Sequence, residues 1–275
     1  MKPLKAILDK FYREYDFAKR IRHDPIAFPH RYRNPEDIEV SGFIASCFAY
    51  GRVELFKPVV QKLLSLMGAH PHSFLTDFNA RKQRKHFAFK YRFNESDDII
   101  CLLFLIHELL KTHSFLGEAF RGHYAREDAD TGGAIAGFVE EVMSINTSLV
   151  YGKDIRPSGL TQFLPSPAKG STCKRMNLFL RWMVRDRDVD FGLWTTIPKS
   201  KLVIPLDTHI ARISRCLGFT RRSSADWRTA LEITEALKKL DPEDPLKYDF
   251  ALCHQGISGL CKSGGGPGCM ECALR

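Results

Sequence analysis

Long apolar runs, strand-like alternation and internal repeats are all missing from this sequence of 275 residues. The longest apolar run, Ile99 to Ile106, is far shorter than the roughly 20 residues that span a bilayer. Met1 to Lys10 also lacks the apolar block of a signal peptide. We therefore expect a cytoplasmic protein with no membrane partner. The scarcity of alternating runs disfavours β-sheet, and the absence of a fixed period disfavours a repeat architecture.

Acidic residues are in short supply as well. Only 32 Asp and Glu face 41 Lys and Arg, which gives a formal net charge of +9. Such a surface attracts polyanions, because binding releases their condensed counterions. The charge fits a nucleic-acid partner, but many basic proteins bind no nucleic acid, so charge alone does not decide the function.

Apolar residues spaced for helices are abundant, and the sequence predicts an all-α fold. In the first long segment Asn34 is a good N-cap, Pro35 suits the first helical position, and acidic residues follow. Gly51 then interrupts the pattern, and the next helical stretch stops at Gly68. Further helices are predicted at about 171–185 and 208–217, on either side of an irregular segment.

Two charged residues lie at the predicted starts of these last two helices. Lys174 falls in a first turn, where the helix dipole disfavours an ammonium and so favours a nucleophilic amine. Asp207 precedes Thr208, where the same dipole stabilises a carboxylate that accepts a proton or balances a developing cation. The structural alternative is that Asp207 is only a helix cap and Lys174 only an exposed lysine.

The segments around these residues, "LPSPAKGSTCK" and "PLDTHIARI", resemble the helix-hairpin-helix DNA glycosylases. That family has a Leu-Pro-Gly-Val-Gly hairpin followed by a lysine, and then a Pro-Val-Asp-Thr-His segment. Gly170 stands four residues before Lys174, as the first family glycine does, whereas Thr172 replaces the second glycine and the turn is longer. The interval between Lys174 and Asp207 is similar to that of the archaeal 8-oxoguanine glycosylase branch. The chain also looks like a bacterial family related to these enzymes.

The resemblance implies a two-lobed helical fold of the HhH-GPD type. One lobe would comprise residues 35–200, and residues 1–34 with 201–275 would form the second. The implied function is base-excision repair by a monomer that acts on double-stranded DNA. A bifunctional glycosylase and AP lyase would remove an oxidised purine such as 8-oxoguanine, with Lys174 as the Schiff-base nucleophile and Asp207 as its acidic partner.

Further site residues follow from the resemblance. By position, Tyr50 would fill the gap left by the flipped nucleotide and Arg52 would lie near the orphaned base. The alternative is that Tyr50 only covers the helix break at Gly51. Phe191, Trp194 and Trp182 are the nearest aromatic residues that would stack on the extruded base, with core packing as the alternative for Trp182. The residues suggested for the DNA backbone are Gly170, Ser171, Thr172, Arg175 and Arg212. Arg181, Arg185 and Arg215 lie near enough to contribute, or to form a solvated face.

Four cysteines near the end of the sequence suggest a metal site. Cys261, Cys269 and Cys272 resemble the first three ligands of the endonuclease III iron–sulfur loop, but nothing in the sequence after Cys272 matches the fourth. Cys253 is the available substitute, in a 4Fe–4S cluster or a zinc site. A metal-free loop remains the other interpretation, and the implied chemistry needs no cofactor.

Two alternatives to an enzyme remain open. One is a non-catalytic DNA- or RNA-binding protein on the same scaffold. Its binding of nucleic acid would survive the substitutions Lys174→Ala and Asp207→Asn. The other is an assembly protein with an acidic protein partner, for which the altered hairpin is the sole support.

Overall fold

A computed structural model describes residues 2–257 and residue 274. The described chain contains helices and one isolated antiparallel bridge between Tyr91 and Asn94, but no β-strand. The prediction of an all-α protein is therefore confirmed. None of the described helices is long and apolar enough to cross a membrane.

Fifteen α-helices occur in the described residues. They are α1 (Lys2–Glu14), α2 (Phe17–Ile21), α3 (Pro35–Phe48), α4 (Val53–Met67), α5 (Pro71–Thr76), α6 (Ala80–Gln83), α7 (Ser96–His113), α8 (Leu116–Arg121), α9 (Gly132–Ser144), α10 (Ser148–Tyr151), α11 (Ser158–Phe163), α12 (Lys174–Val184), α13 (Thr208–Cys216), α14 (Trp227–Lys238) and α15 (Asp249–Ile257).

The chain divides into two compact units. The terminal unit comprises Met1–Ile21, Ala129–Thr131 and Pro167–Arg275, and the central unit comprises Arg22–Asp128 and Gly132–Ser166. This division differs from the predicted lobes, because residues 22–34 join the central unit and residues 167–200 join the terminal unit. As a result, α12 and α13, which carry Lys174 and Asp207, belong to the same unit.

Local signals place the first long helices of the central unit. Helix α3 begins at Pro35, with Asn34 in the N-cap position, although the Asn34 side chain makes no capping hydrogen bond. The break before α4 falls at Gly51, whose φ is +81°. This left-handed backbone conformation favours glycine, because a residue with a Cβ is strained there.

The terminal unit has its own apolar core. Amphipathic α13 contributes Ile210 and Ile213, which pack with Ile233 of α14 and Leu252 of α15. Leu8 of α1 joins the same cluster, so that the first and last parts of the described chain share one core. Burial of this apolar surface holds α13 and α15 side by side.

Helix α12 is fixed in the terminal unit by buried ion pairs. Arg181 Nη1 lies 2.6 Å from Asp249 Oδ2, and Arg185 Nη2 lies 2.8 Å from Asp244 Oδ2. Both guanidinium groups also bind Asp190, whose side chain is fully buried. The sequence suggested Arg181 and Arg185 as phosphate contacts, and this was wrong, because both side chains are buried among carboxylates.

These ion pairs should be costly to break from one side. We expect Arg185→Ala to lower the free energy of unfolding by about 3–5 kcal/mol, because it leaves buried carboxylates without their counterion. Exposed Arg187 offers a control two residues away, and Arg187→Ala should change stability by less than about 0.5 kcal/mol. Urea denaturation of both variants measures the difference, and equal small effects would contradict a buried network.

Candidate active site

A tight turn delivers Lys174 to the start of α12. Residues Pro167–Lys169 form a 3₁₀ turn, and Gly170 then adopts a φ of +73°. The Gly170 carbonyl accepts a hydrogen bond of 3.2 Å from the backbone N–H of Trp227, the first residue of α14. Lys174 follows as the first residue of α12, in the first turn as the sequence predicts.

The second left-handed residue of this turn is Cys173, with a φ of +48°, and not Thr172 as the glycosylase hairpin would suggest. A residue with a Cβ costs about 1–2 kcal/mol in this region. The buried Cys173 side chain compensates through packing, and its backbone N–H donates to Ser171 Oγ at 3.2 Å. Burial raises the pKa of the Cys173 thiol to about 12, so this thiol is a structural group.

Asp207 is the N-cap of α13, which confirms the predicted cap. Its Oδ1 accepts hydrogen bonds of 2.9 Å from the backbone N–H groups of both His209 and Ile210. The residues before it are buried, and the Ile204 N–H donates to Thr234 Oγ1 at 3.0 Å. The carboxylate is therefore fixed by the α13 backbone after it and by the buried segment before it. Its Oδ2 atom remains available to contact other side chains.

The two predicted catalytic residues meet in the structure. Lys174 Nζ lies 3.5 Å from Asp207 Oδ2, with the lysine side chain 33% exposed and the aspartate side chain 14% exposed. The N-terminal dipoles of α12 and α13 both disfavour a cation, whereas the carboxylate favours one. The pair therefore combines a solvent-accessible amine with a nearby proton acceptor whose position is fixed.

A third group at this pair was not expected there. Cys253 of α15 places Sγ 3.7 Å from Asp207 Oδ2, as a thiol that donates to the carboxylate. One turn earlier on the same helix, burial and the negative charges of Asp207 and Asp190 raise the pKa of Asp249 to about 6, against the effect of Arg181. The sequence offered Cys253 as a substitute metal ligand or as a core thiol on a helix, and no local pattern indicated that it faces Asp207.

One family model matches residues 24–258, and its description is "Protein of unknown function (DUF2400)". The chain belongs to this family. The matched range contains Lys174, Asp207 and Cys253, so all three side chains of the candidate site lie within the residues that match the family model. Comparisons with curated proteins and with solved structures each found no match.

The residues suggested for the DNA backbone differ in their accessibility. Gly170 is exposed, and Ser171 and Thr172 are half-buried, so the turn itself is reachable. Arg175 is only 9% exposed. Arg212 is half-buried and its Nη2 donates to the Gly256 carbonyl at 3.0 Å. Neither arginine projects into solvent as a phosphate contact requires, whereas Arg215, at the far end of α13, is exposed.

Two of the predicted base-stacking residues are less accessible than that role needs. Trp194 is buried, with its ring edge-on to Phe179 of α12 at a centroid distance of 5.2 Å. It also forms part of a depression of about 340 Å³ together with Asp186 and Lys199. Phe191 is half-buried, and its backbone N–H donates to the Trp182 carbonyl at 2.8 Å. Core packing of α12 accounts for the position of Trp194.

Tyr50 supports a turn in the central unit. Its hydroxyl donates within the turn formed by Tyr91 and Asn94, at 3.1 Å from the Tyr91 carbonyl, and its ring packs against the Tyr91 ring. These contacts favour the interpretation of Tyr50 as a cover for the helix break. Arg52 is exposed at the N-cap of α4. Phe93, in the turn that Tyr50 supports, is exposed as well, and no pattern in the sequence indicated it.

The metal prediction falls mostly outside the described residues. Cys261, Cys269 and Cys272 lie there, and only Cys253 is described. Among the described residues no group of three or more His, Cys, Asp or Glu side chains is arranged to hold a metal ion. The one described thiol of the set, that of Cys253, faces Asp207, and the metal site stays a prediction.

Asp207 acts as a cap and as a charged group, and two substitutions separate these roles. Asp207→Ala should lower the free energy of unfolding by about 1 kcal/mol, because two N–H groups of α13 lose their acceptor. Asp207→Asn keeps a capping oxygen and should stay closer to wild type. Thr208→Ala, at the exposed next position, is the control in the same denaturation experiment. An asparagine variant as unstable as the alanine variant would show that charge, and not capping, dominates.

Proposed function

We propose that this protein is a DNA glycosylase with AP lyase activity, which removes an oxidised purine such as 8-oxoguanine through a Schiff base on Lys174. The observation that carries the proposal is the 3.5 Å approach of Lys174 Nζ to Asp207 Oδ2 at the starts of two neighbouring helices. The proposal includes the two-lobed HhH-GPD fold and duplex DNA as the partner. The net charge of +9 supports a polyanionic substrate.

The pair supports a balanced reaction. Asp207 accepts a proton from the Lys174 ammonium, and the free amine attacks C1′ of the damaged nucleoside. The glycosidic bond breaks and its electron pair leaves with the base, which takes the proton from the Asp207 carboxyl group. The regenerated carboxylate then balances the positive charge on the lysine nitrogen that is now bound to C1′. The lysine nitrogen then passes a proton to O4′ as the sugar ring opens, which gives the protonated Schiff base. Transfer of a C2′ proton to water expels the 3′ phosphate. A positioned carboxylate of this kind contributes typically 10²–10⁴-fold to the rate.

Borohydride trapping tests this reaction directly, because reduction turns a Schiff base into a stable covalent adduct. With wild-type protein and a panel of duplexes, each with one lesion, we expect an adduct on oxidised purines. Lys174→Ala and Lys174→Arg should both abolish it, since arginine keeps the charge but is not a nucleophile, and Asp207→Asn should slow trapping at least 10²-fold. Lys239→Ala, at an exposed lysine of the same unit, should trap normally.

A second function is favoured by one observation, the left-handed backbone at Cys173, one residue after the position of the second hairpin glycine. A protein that only binds nucleic acid would retain the scaffold while its turn and lysine diverged. It would show salt-sensitive binding that Lys174→Ala and Asp207→Asn leave unchanged, with no adduct on any lesion. That pattern would replace the enzymatic proposal.

The DNA-contacting surface that we propose in the central unit centres on the Arg92–Phe93 turn. The backbones of Tyr91 and Asn94 exchange hydrogen bonds of 3.0 and 2.9 Å, so the two residues between them form a tight tip. Buried Asn94 fixes the base of the tip through its amide, which donates to the Gly159 carbonyl. The tip is therefore rigid, as a side chain that separates stacked bases must be.

Phe93 has the properties of an inserting residue at this tip. Its side chain is 65% exposed, the highest value among the large apolar residues of the described chain. The Arg92 guanidinium lies 5.4 Å from its ring centre, and residues 81–92 contribute six Lys and Arg. An apolar ring beside cationic groups fits between bases while phosphates bind the charges.

Phe93→Ala should therefore reduce excision from duplex about tenfold more than excision from single strands, because only the duplex has a gap to fill. Tyr50→Ala should act in the same direction but through the turn, so Tyr50→Phe, which removes the hydroxyl that holds the tip, should reproduce part of its effect. Leu55→Ala removes another exposed apolar side chain of this unit, and it should change excision from neither duplex nor single strands. Equal losses on duplex and single strand would reject insertion by Phe93.

A further inference from the structure

The last described helix brings a thiol to the candidate catalytic pair. Helices α13 and α15 pack closely, since a Cβ at Gly256 would lie 2.7 Å from the Cβ of His209. This contact fixes α15 beside the first turn of α13. Cys253 is three residues before Gly256, on the adjoining helical turn, and its Sγ reaches Oδ2 of Asp207 at 3.7 Å.

The two oxygens of Asp207 have different partners. Oδ1 accepts two backbone N–H groups of α13, and these bonds do not change during a reaction at Lys174. Oδ2 faces both the Lys174 ammonium and the Cys253 thiol. Rotation of the carboxylate about its Cβ–Cγ bond would break the bonds at Oδ1, but small tilts would move Oδ2 from the amine.

We propose that Cys253 is a positioning residue, whose S–H donates to Oδ2 of Asp207 and holds that oxygen in line with the Lys174 amine. The inference rests on the proposed function. When Oδ2 takes the lysine proton, the thiol continues to donate to the remaining lone pair, so the oxygen keeps its place through the transfer. The thiol itself neither gains nor loses a proton, and it touches neither substrate nor reacting carbon.

This role differs from that of a metal ligand. A thiolate bound to iron or zinc cannot donate a hydrogen bond, because metal binding removes its proton. Cys253 therefore serves either Asp207 or a metal, and the two assignments make opposite predictions for substitution by serine.

Single-turnover kinetics of base release provide the first test. Cys253→Ala should lower the rate at saturating duplex about three- to tenfold without changing the concentration for half-maximal rate, because substrate binding does not involve the thiol. Cys253→Ser restores an O–H donor of similar size and should recover most of that loss. Cys216→Ala, at the exposed cysteine at the end of α13, should behave as wild type. A serine variant as slow as the alanine variant, or one that loses iron or zinc found in the wild type, would overturn the proposal.

Thermal unfolding provides a second test that requires no substrate. If the thiol and the carboxylate interact, the decreases in Tm caused by Cys253→Ala and Asp207→Asn should sum to more than the decrease in the double variant. Cys216→Ala combined with Asp207→Asn should be additive. Additive effects for the Cys253 pair would refute the contact and the positioning role. Coupling in a protein that forms no borohydride adduct on any lesion would instead refute the enzymatic proposal while the contact stands.

Discussion

The placement of α12 depends on two arginines that are buried among aspartates. Arg181 and Arg185 share Asp190, and they also reach Asp249, the first residue of α15, and Asp244, which precedes that helix. Desolvation makes such ion pairs an uncertain source of stability, but a side chain out of register leaves an unpaired charge in the core. The network therefore selects one rotation and one depth for α12, and this sets where Lys174 emerges at its first residue.

The same network connects both sides of the candidate site. Asp249 binds Arg181 of α12 and begins α15, the helix that carries Cys253. Lys174 and Cys253 are thus positioned by opposite ends of a single ion pair, and Asp207 lies between their polar atoms. Asp207 in turn is fixed by the α13 backbone and by the buried segment before it. Because the capping hydrogen bonds already fix the carboxylate, a helix cap is a suitable position for a catalytic group.

Local features of the sequence predicted much of this arrangement. The starts of α3 and α13 were indicated by Asn34 with Pro35 and by Asp207 with Thr208, because capping depends on residues within one turn. Lys174 was placed in the first turn of its helix for the same reason. The resemblance to a glycosylase segment then joined two residues 33 positions apart, which periodicity alone could not do.

Tertiary contacts account for what the sequence did not reveal. In the sequence, Arg181 and Arg185 look like part of a basic helix face. Only the fold shows that carboxylates lie opposite them. Cys253 belongs by spacing to a cysteine cluster, yet the close packing at Gly256 directs its thiol to Asp207. Phe93 lies in a basic stretch of the sequence that does not single it out, and it is exposed in the turn closed by the bridge between Tyr91 and Asn94.

These differences share one physical origin. A cap or a helix start is decided by hydrogen bonds within a few residues, whereas the partner of a long side chain is decided by which helix lies across from it. Both kinds of contact determine the candidate site. Lys174 and Asp207 are oriented by their own helices, whereas their 3.5 Å separation depends on the packing of α12 against the rest of the terminal unit. A site of this design keeps its local geometry under many substitutions, but it loses the separation once the buried ion pairs behind α12 are disturbed.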